Sequence, residues 1–246
     1  MIQQDQPGQF PQSFTVALSS KSDGTMLDRS LTTHDTSAVD NRVKFCQLAG
    51  LNYGDVVYQD IVYGDDQTYG KIVTVDRSHT TAHLPDVNAD ALFTKNPDVG
   101  LFLPVADCVA TVICDPVNRY LAMVHLGRDS TVASLMQKTL KTFSAGGSNL
   151  ADVIIWMSPS AKKETYFMQW FDHETDPGWQ DFIQKTDQGI HLDLSGYNRA
   201  AALGAGVLAG NIHISSVNTM TSDNYFSHSM GDTTGRFAVV ASMNSI

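Results

Sequence analysis

Ala106-Asp107-Cys108-Val109-Ala110-Thr111-Val112-Ile113-Cys114-Asp115-Pro116-Val117-Asn118-Arg119-Tyr120-Leu121-Ala122-Met123-Val124-His125-Leu126-Gly127 reads as two apolar runs folded back on each other. Its middle, Asp115-Pro116-Val117-Asn118, is a turn signal with Asp at the first position and Pro at the second. A two-residue loop that pairs Asp115 with Asn118 predicts an antiparallel hairpin with Cys108 opposite His125. Directly opposed residues on one sheet face have Cβ atoms about 4.5 to 5.5 Å apart, which is contact distance for a thiol and an imidazole.

Three chemistries follow from such a pair. The imidazole can activate a thiolate nucleophile, both groups can ligate zinc or copper, or both can bind and polarise a substrate. Against these stands a plainer alternative, a buried small thiol and a hydrogen-bonded histidine at a strand end, the commoner setting for both residue types. Asp107 is placed either to orient His125 or to cap a turn.

The rest of the composition narrows the class. A chain of 246 residues, 42% hydrophobic, can bury a full core. No run approaches the roughly 18 apolar residues of a membrane span, and Met1 to Gln12 is polar with two prolines and no signal core. The expectation is a cytoplasmic protein with a disordered tail over residues 1–12 and a single domain over 13–246. Cys46, Cys108 and Cys114 are odd in number and never spaced as Cys-x-x-Cys, which argues against a disulfide framework and a zinc finger. A formal charge of −10 with no basic stripe repels phosphate backbones and argues against nucleic-acid partners.

Strands and helices interleave along the chain. Phe14 to Leu18, Val56 to Tyr63, Lys71 to Val75, Asp90 to Thr94, Gly100 to Val105 and Asp152 to Met157 read as strands, as do Asn211 to Val217 and Arg236 to Met243. Asp40 to Gly50 and Leu194 to Ala205 read as helices. A loop is expected from Ser19 to about Ser37, and an acidic, Trp-rich stretch from Trp170 to Gln184. After Gly127 the period changes to 3.6, with Val132, Leu135, Met136, Leu140 and Phe143 on one face of a single predicted helix capped by Asp129 or Ser130. Its N-terminus beside the Cys/His pair would offer free N–H groups to an anion. The pattern is an α/β fold, mixed sheets with interleaved helices in one compact body, without internal repeats.

Taken together, Ser19-Ser20-Lys21-Ser22-Asp23-Gly24, Val62-Tyr63-Gly64, Ala89-Asp90-Ala91-Leu92, Ala106-Asp107-Cys108, Val124-His125-Leu126-Gly127, His191-Leu192-Asp193-Leu194, Phe226-Ser227-His228-Ser229 and Gly235-Arg236 resemble, in order and spacing, the laccase-domain or polyphenol-oxidase-like family. That family is also described as purine nucleoside phosphorylases with adenosine deaminase activity, related to a bacterial peptidoglycan editing factor. The resemblance covers almost the whole chain. It implies a laccase-domain-like body acting on purine nucleosides, by phosphorolysis or adenosine deamination, with phosphate as co-substrate. It places the site at Cys108 and His125, with zinc held there and by a third residue in the position of Tyr63. It also implies Lys21, Arg128, Arg236 and His228 as ligand- or phosphate-binding groups, a small-molecule substrate with no membrane partner, and a monomer or small homo-oligomer.

This chain departs from the family pattern at several of those positions. A phenol with a pKa near 10 at Tyr63 is a poor zinc ligand, and two protein ligands rarely hold zinc alone. Arg128-Asp129-Ser130 stands where the family has Trp-Arg-Gly, Ser19-Ser20-Lys21 where it has Ser-Thr-Arg, Asn218-Thr219 where it has Cys-Thr, and Ser229 where it has a bidentate arginine. His228, in place of a tyrosine, can supply a ligand or proton shuttle, or be an ordinary loop histidine. Two other functions therefore stay open: a ligand-binding or regulatory protein that has lost its chemistry, and a Cys/His hydrolase with Cys108 as nucleophile. Copper-dependent phenol oxidation is disfavoured, since eight scattered histidines include no His-x-His pair.

Overall fold

The computed structural model describes residues 1–27, 36–63 and 69–244. Gly64 of the Val62-Tyr63-Gly64 motif and residues 28–35 of the expected early loop lie outside the described residues. In chain order the strands are β1 (Phe14–Leu18), β2 (Val56–Asp60), β3 (Ile72–Thr74), β4 (Val87–Asn88), β5 (Ala91–Thr94), β6 (Gly100–Val105), β7 (Val109–Asp115), β8 (Tyr120–Leu126), β9 (Ile154–Met157), β10 (Phe167–Met168), β11 (Ile183–Thr186), β12 (Gly189–Leu192), β13 (Ile212–Ile214) and β14 (Phe237–Met243). The α-helices are α1 (Thr36–Leu48), α2 (Arg128–Val132), α3 (Leu135–Ala145) and α4 (Leu194–Ala205).

Alternation along the strands builds the layers, because successive side chains point to opposite faces. One sheet runs β1-β14-β6-β2-β4 and a second β13-β9-β7-β8-β5-β3. Leu101 and Leu103 of β6, Val112 and Cys114 of β7, Leu121 and Met123 of β8 and Val239 of β14 meet in the core between these sheets. The intervening Phe102, with Val56 and Tyr58, packs outward on Phe45 and Cys46 of α1. On the far face of the second sheet, Ile113, Ala122 and Val124 pack on Leu135, Leu140 and Phe143 of α3 and Ala202 of α4. The order is helix, sheet, sheet, helices. Both faces of the second sheet are covered, which is why its strands read as nearly unbroken apolar runs. The third sheet, β10-β12-β11, is built from short strands over 167–192 that were not among those expected, and Ile190 and Leu192 of β12 join the core on the far face of the second sheet.

The hairpin register differs from the two-residue loop expected. Asp115 pairs with Tyr120 and Ala110 with His125, leaving residues 116–119 as a four-residue loop. Asp115 starts the turn as expected, its carboxylate accepting the N–H groups of Val117 and Asn118 at 2.8 and 3.0 Å. An ordinary type I turn, however, twists against the right-handed twist of the strands when it closes a two-residue loop. Here Arg119 adds a left-handed residue with φ 55°, and the strands rejoin one step later. The slip is by two residues in sum, so every side chain keeps its predicted face.

Two further expectations are corrected. The single helix after Gly127 is broken, because Ser134 takes φ 60° and separates α2 from α3. The cap is Gly127 rather than Asp129 or Ser130, and its N–H donates to Ser130 Oγ at 2.9 Å, so that amide is not open to an anion. At the start of the chain several residues contact the body. Gln6 accepts the Leu18 N–H and donates to the Leu18 carbonyl, both at 2.9 Å, satisfying the outer edge of β1. The Met1 ammonium pairs with Asp23 at 2.7 Å, and Ile2 and Phe10 pack on the core. No helix among the described residues is long and apolar enough to cross a membrane.

Candidate active site

Ala106-Asp107-Cys108 carries the chain from β6 in one sheet to β7 in the other. Asp107 makes the corner with φ 72°, a left-handed conformation Asp tolerates better than most residues. Its carboxylate is fully engaged away from His125. Oδ1 accepts the Thr219 hydroxyl at 2.7 Å and Oδ2 the Ser229 N–H at 2.8 Å, while its carbonyl accepts the Ala161 N–H at 2.9 Å. Asp107 thereby ties three distant loops to the corner that presents Cys108.

His125 continues the parity of Leu121 and Met123 and so faces the space between the sheets, where it is 3% exposed. Its N–H donates to the Asp90 carbonyl at 2.9 Å and its carbonyl accepts the Ser130 hydroxyl at 2.7 Å, fixing the backbone on both sides of the ring. Gly127 brings the pair together. A Cβ there would lie 3.2 Å from Cys108 Sγ and 3.3 Å from His125 Cε1, so the thiol and imidazole close over a position that only glycine leaves empty. Tyr63 reaches the same ring from the segment that follows β2, with Oη 3.5 Å from His125 Nε2 and the two rings edge to face at 6.2 Å.

These residues line a cavity of about 210 Å³ together with Asp60, His228 and Arg236. Arg236 is 7% exposed, and its Nη1 donates to the carbonyls of Gly235 and Asp232 at 2.6 and 3.2 Å. Its neighbour Gly235 is required by packing, since a Cβ would enter the Phe226 ring at 2.2 Å. Lys21 does not line the cavity. Its ammonium pairs with Asp232 at 3.1 Å and lies 5.5 Å from the centre of the Phe226 ring, bracing the loop that carries Arg236. Burial works to raise the Asp232 carboxyl, but the Ser227 N–H and the Lys21 and Arg236 cations hold it below the usual carboxylate range.

Arg128 is also placed elsewhere. It pairs with Asp129 at 2.8 Å and borders a different cavity, with Tyr69 and Trp170. Ser229, standing for a bidentate arginine, contributes only its N–H to Asp107. Sequence reasoning missed Asp60, for which a lone acid at a strand end offers no signal. It also missed Tyr166, partly buried and near enough to Cys108, Asp107, Arg128 and Asp129 to feel their charges. Burial first, then the nearby negative charge, pushes its phenol well above the ordinary value.

The metal implied by the resemblance does not fit. The groups at the position are a thiol, an imidazole and a phenol, and among the described residues no three His, Cys, Asp or Glu side chains converge to share an ion. The arrangement instead offers a nucleophilic or polarisable thiol, an imidazole with a hydroxyl at Nε2, and one buried guanidinium in a single pocket.

Comparisons with known proteins bear on the family and the fold. A family model described as multi-copper polyphenol oxidoreductase laccase matches residues 19–244. A purine nucleoside phosphorylase of Mycobacterium bovis is 25% identical over 205 residues, covering 80% of this chain and 76% of its own. Another of Deinococcus radiodurans is 28% identical over 153 residues, 61% of this chain and 60% of its own. Among solved structures, Bacillus licheniformis hypothetical protein YfiH superposes with a TM-score of 0.81 at 24% identity over 94% of this chain and 93% of that one. YlmD from Geobacillus stearothermophilus gives 0.81 at 21% identity over 95% and 93%.

Proposed function

The chain belongs to the multi-copper polyphenol oxidoreductase laccase family, and from that premise we propose that it is a phosphorylase of purine nucleosides, acting in the cavity formed by Tyr63, Cys108, His125, His228 and Arg236. The observation that carries the reading is the convergence there of a thiol, an imidazole and a buried guanidinium drawn from three separate elements. The relatives named purine nucleoside phosphorylase over most of their length support the substrate class.

In this reading Arg236 holds inorganic phosphate and the ring of His228 donates a further hydrogen bond to it. A phosphate oxygen forms a bond to C1′ of the ribose as the bond from C1′ to the purine nitrogen breaks. The electron pair leaves with the base, which takes its proton from the His125 imidazolium. Tyr63, at Nε2, and Cys108 position that ring against the leaving base. Water relayed through the pocket returns a proton from phosphate to His125, so the products are free base and ribose 1-phosphate. No step runs through a metal ion, and the name of the family does not bring copper chemistry to this chain, because the donor set is wrong for it.

The test is chromatography of adenosine and inosine incubated with the protein and phosphate, beside Cys108→Ala. Base and ribose 1-phosphate from the parent, with a fall of at least about a hundredfold in the variant, are expected. Inosine formed from adenosine would replace phosphorolysis by deamination. Adenosine bound without any product would replace both by a binding function.

A further inference from the structure

A second cavity, of about 330 Å³, shares no lining residue with the first. It lies against the turn that follows His125, where Arg128 and Asp129 open α2, and its other walls include Tyr69, Trp170, Phe171, Asp172 and His173, whose Nδ1 is engaged by Asp176 at 2.7 Å. Trp170 is 66% exposed here, although an indole is the side chain with most to gain from being covered. Behind it the floor is stiff. Phe171 is 4% exposed, meets Trp179 edge to face at 4.8 Å, and Trp179 stacks on Tyr197 at 3.9 Å.

The polar edge has a definite sense. Arg128 directs Nε and Nη2 to the Asp129 carboxylate at 2.8 and 3.4 Å, which pins the guanidinium plane and leaves Nη1 as a donor. Asp129 and Asp172 line the same cavity and supply acceptors to it. One cation against two carboxylates, on a chain of formal charge −10, repels an anion. What complements an aromatic wall with a donor next to acceptors is a flat, neutral ring system that carries both an acceptor nitrogen or carbonyl and an amino group on one edge. A volume of this size is within the usual range for a small-molecule site and holds one such ring with a sugar attached.

We propose that the cleft between Trp170 and Arg128 is a binding site for a neutral planar heterocycle of the nucleobase or nucleoside class, separate from the cavity of Cys108 and His125. The ring lies on Trp170, Arg128 donates to its acceptor edge and Asp129 or Asp172 accepts from its amino group. The site stands independently of the phosphorolysis reading, since none of its residues belongs to the reaction cavity.

The experiment is titration of the full chain with adenosine in the Cys108→Ala background, followed by tryptophan fluorescence and by calorimetry. Of the three tryptophans, Trp156 and Trp179 are buried, so saturable quenching reports on Trp170. Trp170→Phe is expected to keep calorimetric binding within a few-fold and to lose the quench. Trp170→Ala and Arg128→Ala are each expected to weaken binding by about tenfold or more, and adenosine monophosphate to bind more weakly than adenosine. Absence of saturable binding overturns the proposal. So does binding that Trp170→Ala and Arg128→Ala leave unchanged, which would assign the nucleoside to the reaction cavity and leave the phosphorolysis reading intact. Conversely, binding at Trp170 with no product from the parent chain would sink that reading alone.

Discussion

His125 works at a position set by its neighbours, and two of them can be altered without touching the ring. Gly127 leaves the space into which Cys108 Sγ and the imidazole close, so Gly127→Ala forces them apart by a few tenths of an ångström. Turnover in the nucleoside assay is expected to fall by about tenfold or more while the melting temperature moves by only a few degrees. Tyr63 stands at Nε2 with a hydroxyl where an imidazole would give a third protein ligand, leaving the fourth tetrahedral position to water. Tyr63→His is therefore expected to bind zinc stoichiometrically in competition with a chromophoric chelator, whereas the parent loses zinc to the same chelator. Equal retention by both would show that the phenol is no obstacle. Cys108 and His125 were legible as a pair because strand parity survives an even register error. Asp107 was legible as a residue at the site but not in its role, since its partners Thr219 and Ser229 lie more than a hundred positions away.

The element that places the pair is the hairpin of β7 and β8, and the residue that sets its turn is Asp115. Fully buried, its carboxyl would be raised by desolvation. The nearby Ser148 hydroxyl, and hydrogen bonds from the Asn118 side chain and from the Asn118 and Val117 N–H groups, overcome that and hold it below its ordinary value. The sign follows from linkage. The group is ionised in the native state over a wider range than in the unfolded chain, so its contribution is complete above its ordinary pKa and is lost as pH falls through the lower native value. Asp115→Ala is expected to destabilise the fold by about 2 kcal/mol in urea at neutral pH, with a smaller difference from the parent at pH 3. The same element shows where local reading stops. Turn chemistry announced Asp115 and Pro116, but loop length depended on matching strand twist, which Arg119 supplies from the left-handed region. The break between α2 and α3 at Ser134 is likewise invisible to periodicity, because apolar spacing runs through it unchanged.

At the scale of the whole molecule, packing α4 on the second sheet buries a charge that the isolated loop would leave in water. Lys162 is half-buried, with Nζ 3.2 Å from Ser160 Oγ, beside the start of α4. Desolvation lowers its pKa from 10.5 to about 8, against the opposing pull of Asp193 and Glu164. Below about pH 8 both native and unfolded chains carry the ammonium, and the native state bears the full penalty. Between about 8 and 10.5 the native state binds fewer protons, so this group makes stability rise with pH. Lys162→Met is expected to raise the melting temperature near pH 7 and to remove that part of the rise, read from melts at pH 7 and pH 10. A larger pH-dependent rise in the variant would overturn the assignment.

By itself the sequence determined the layers and the centre of the site. Alternating and continuous apolar runs required two-faced burial of β7 and β8, and parity kept Cys108 and His125 on one face because the register differs from the expected one by an even number. Only the tertiary structure decided what surrounds them. It brought Tyr63 and Arg236 into the cavity, turned Lys21 to Asp232 and Arg128 to Asp129, and placed Trp170 on a separate cleft. The physical reason is range. Hydrophobic periodicity is a local property that any chain must satisfy to bury its faces, whereas a charged or aromatic side chain is committed by whichever partner the fold brings within a few ångströms, and no local pattern records that choice.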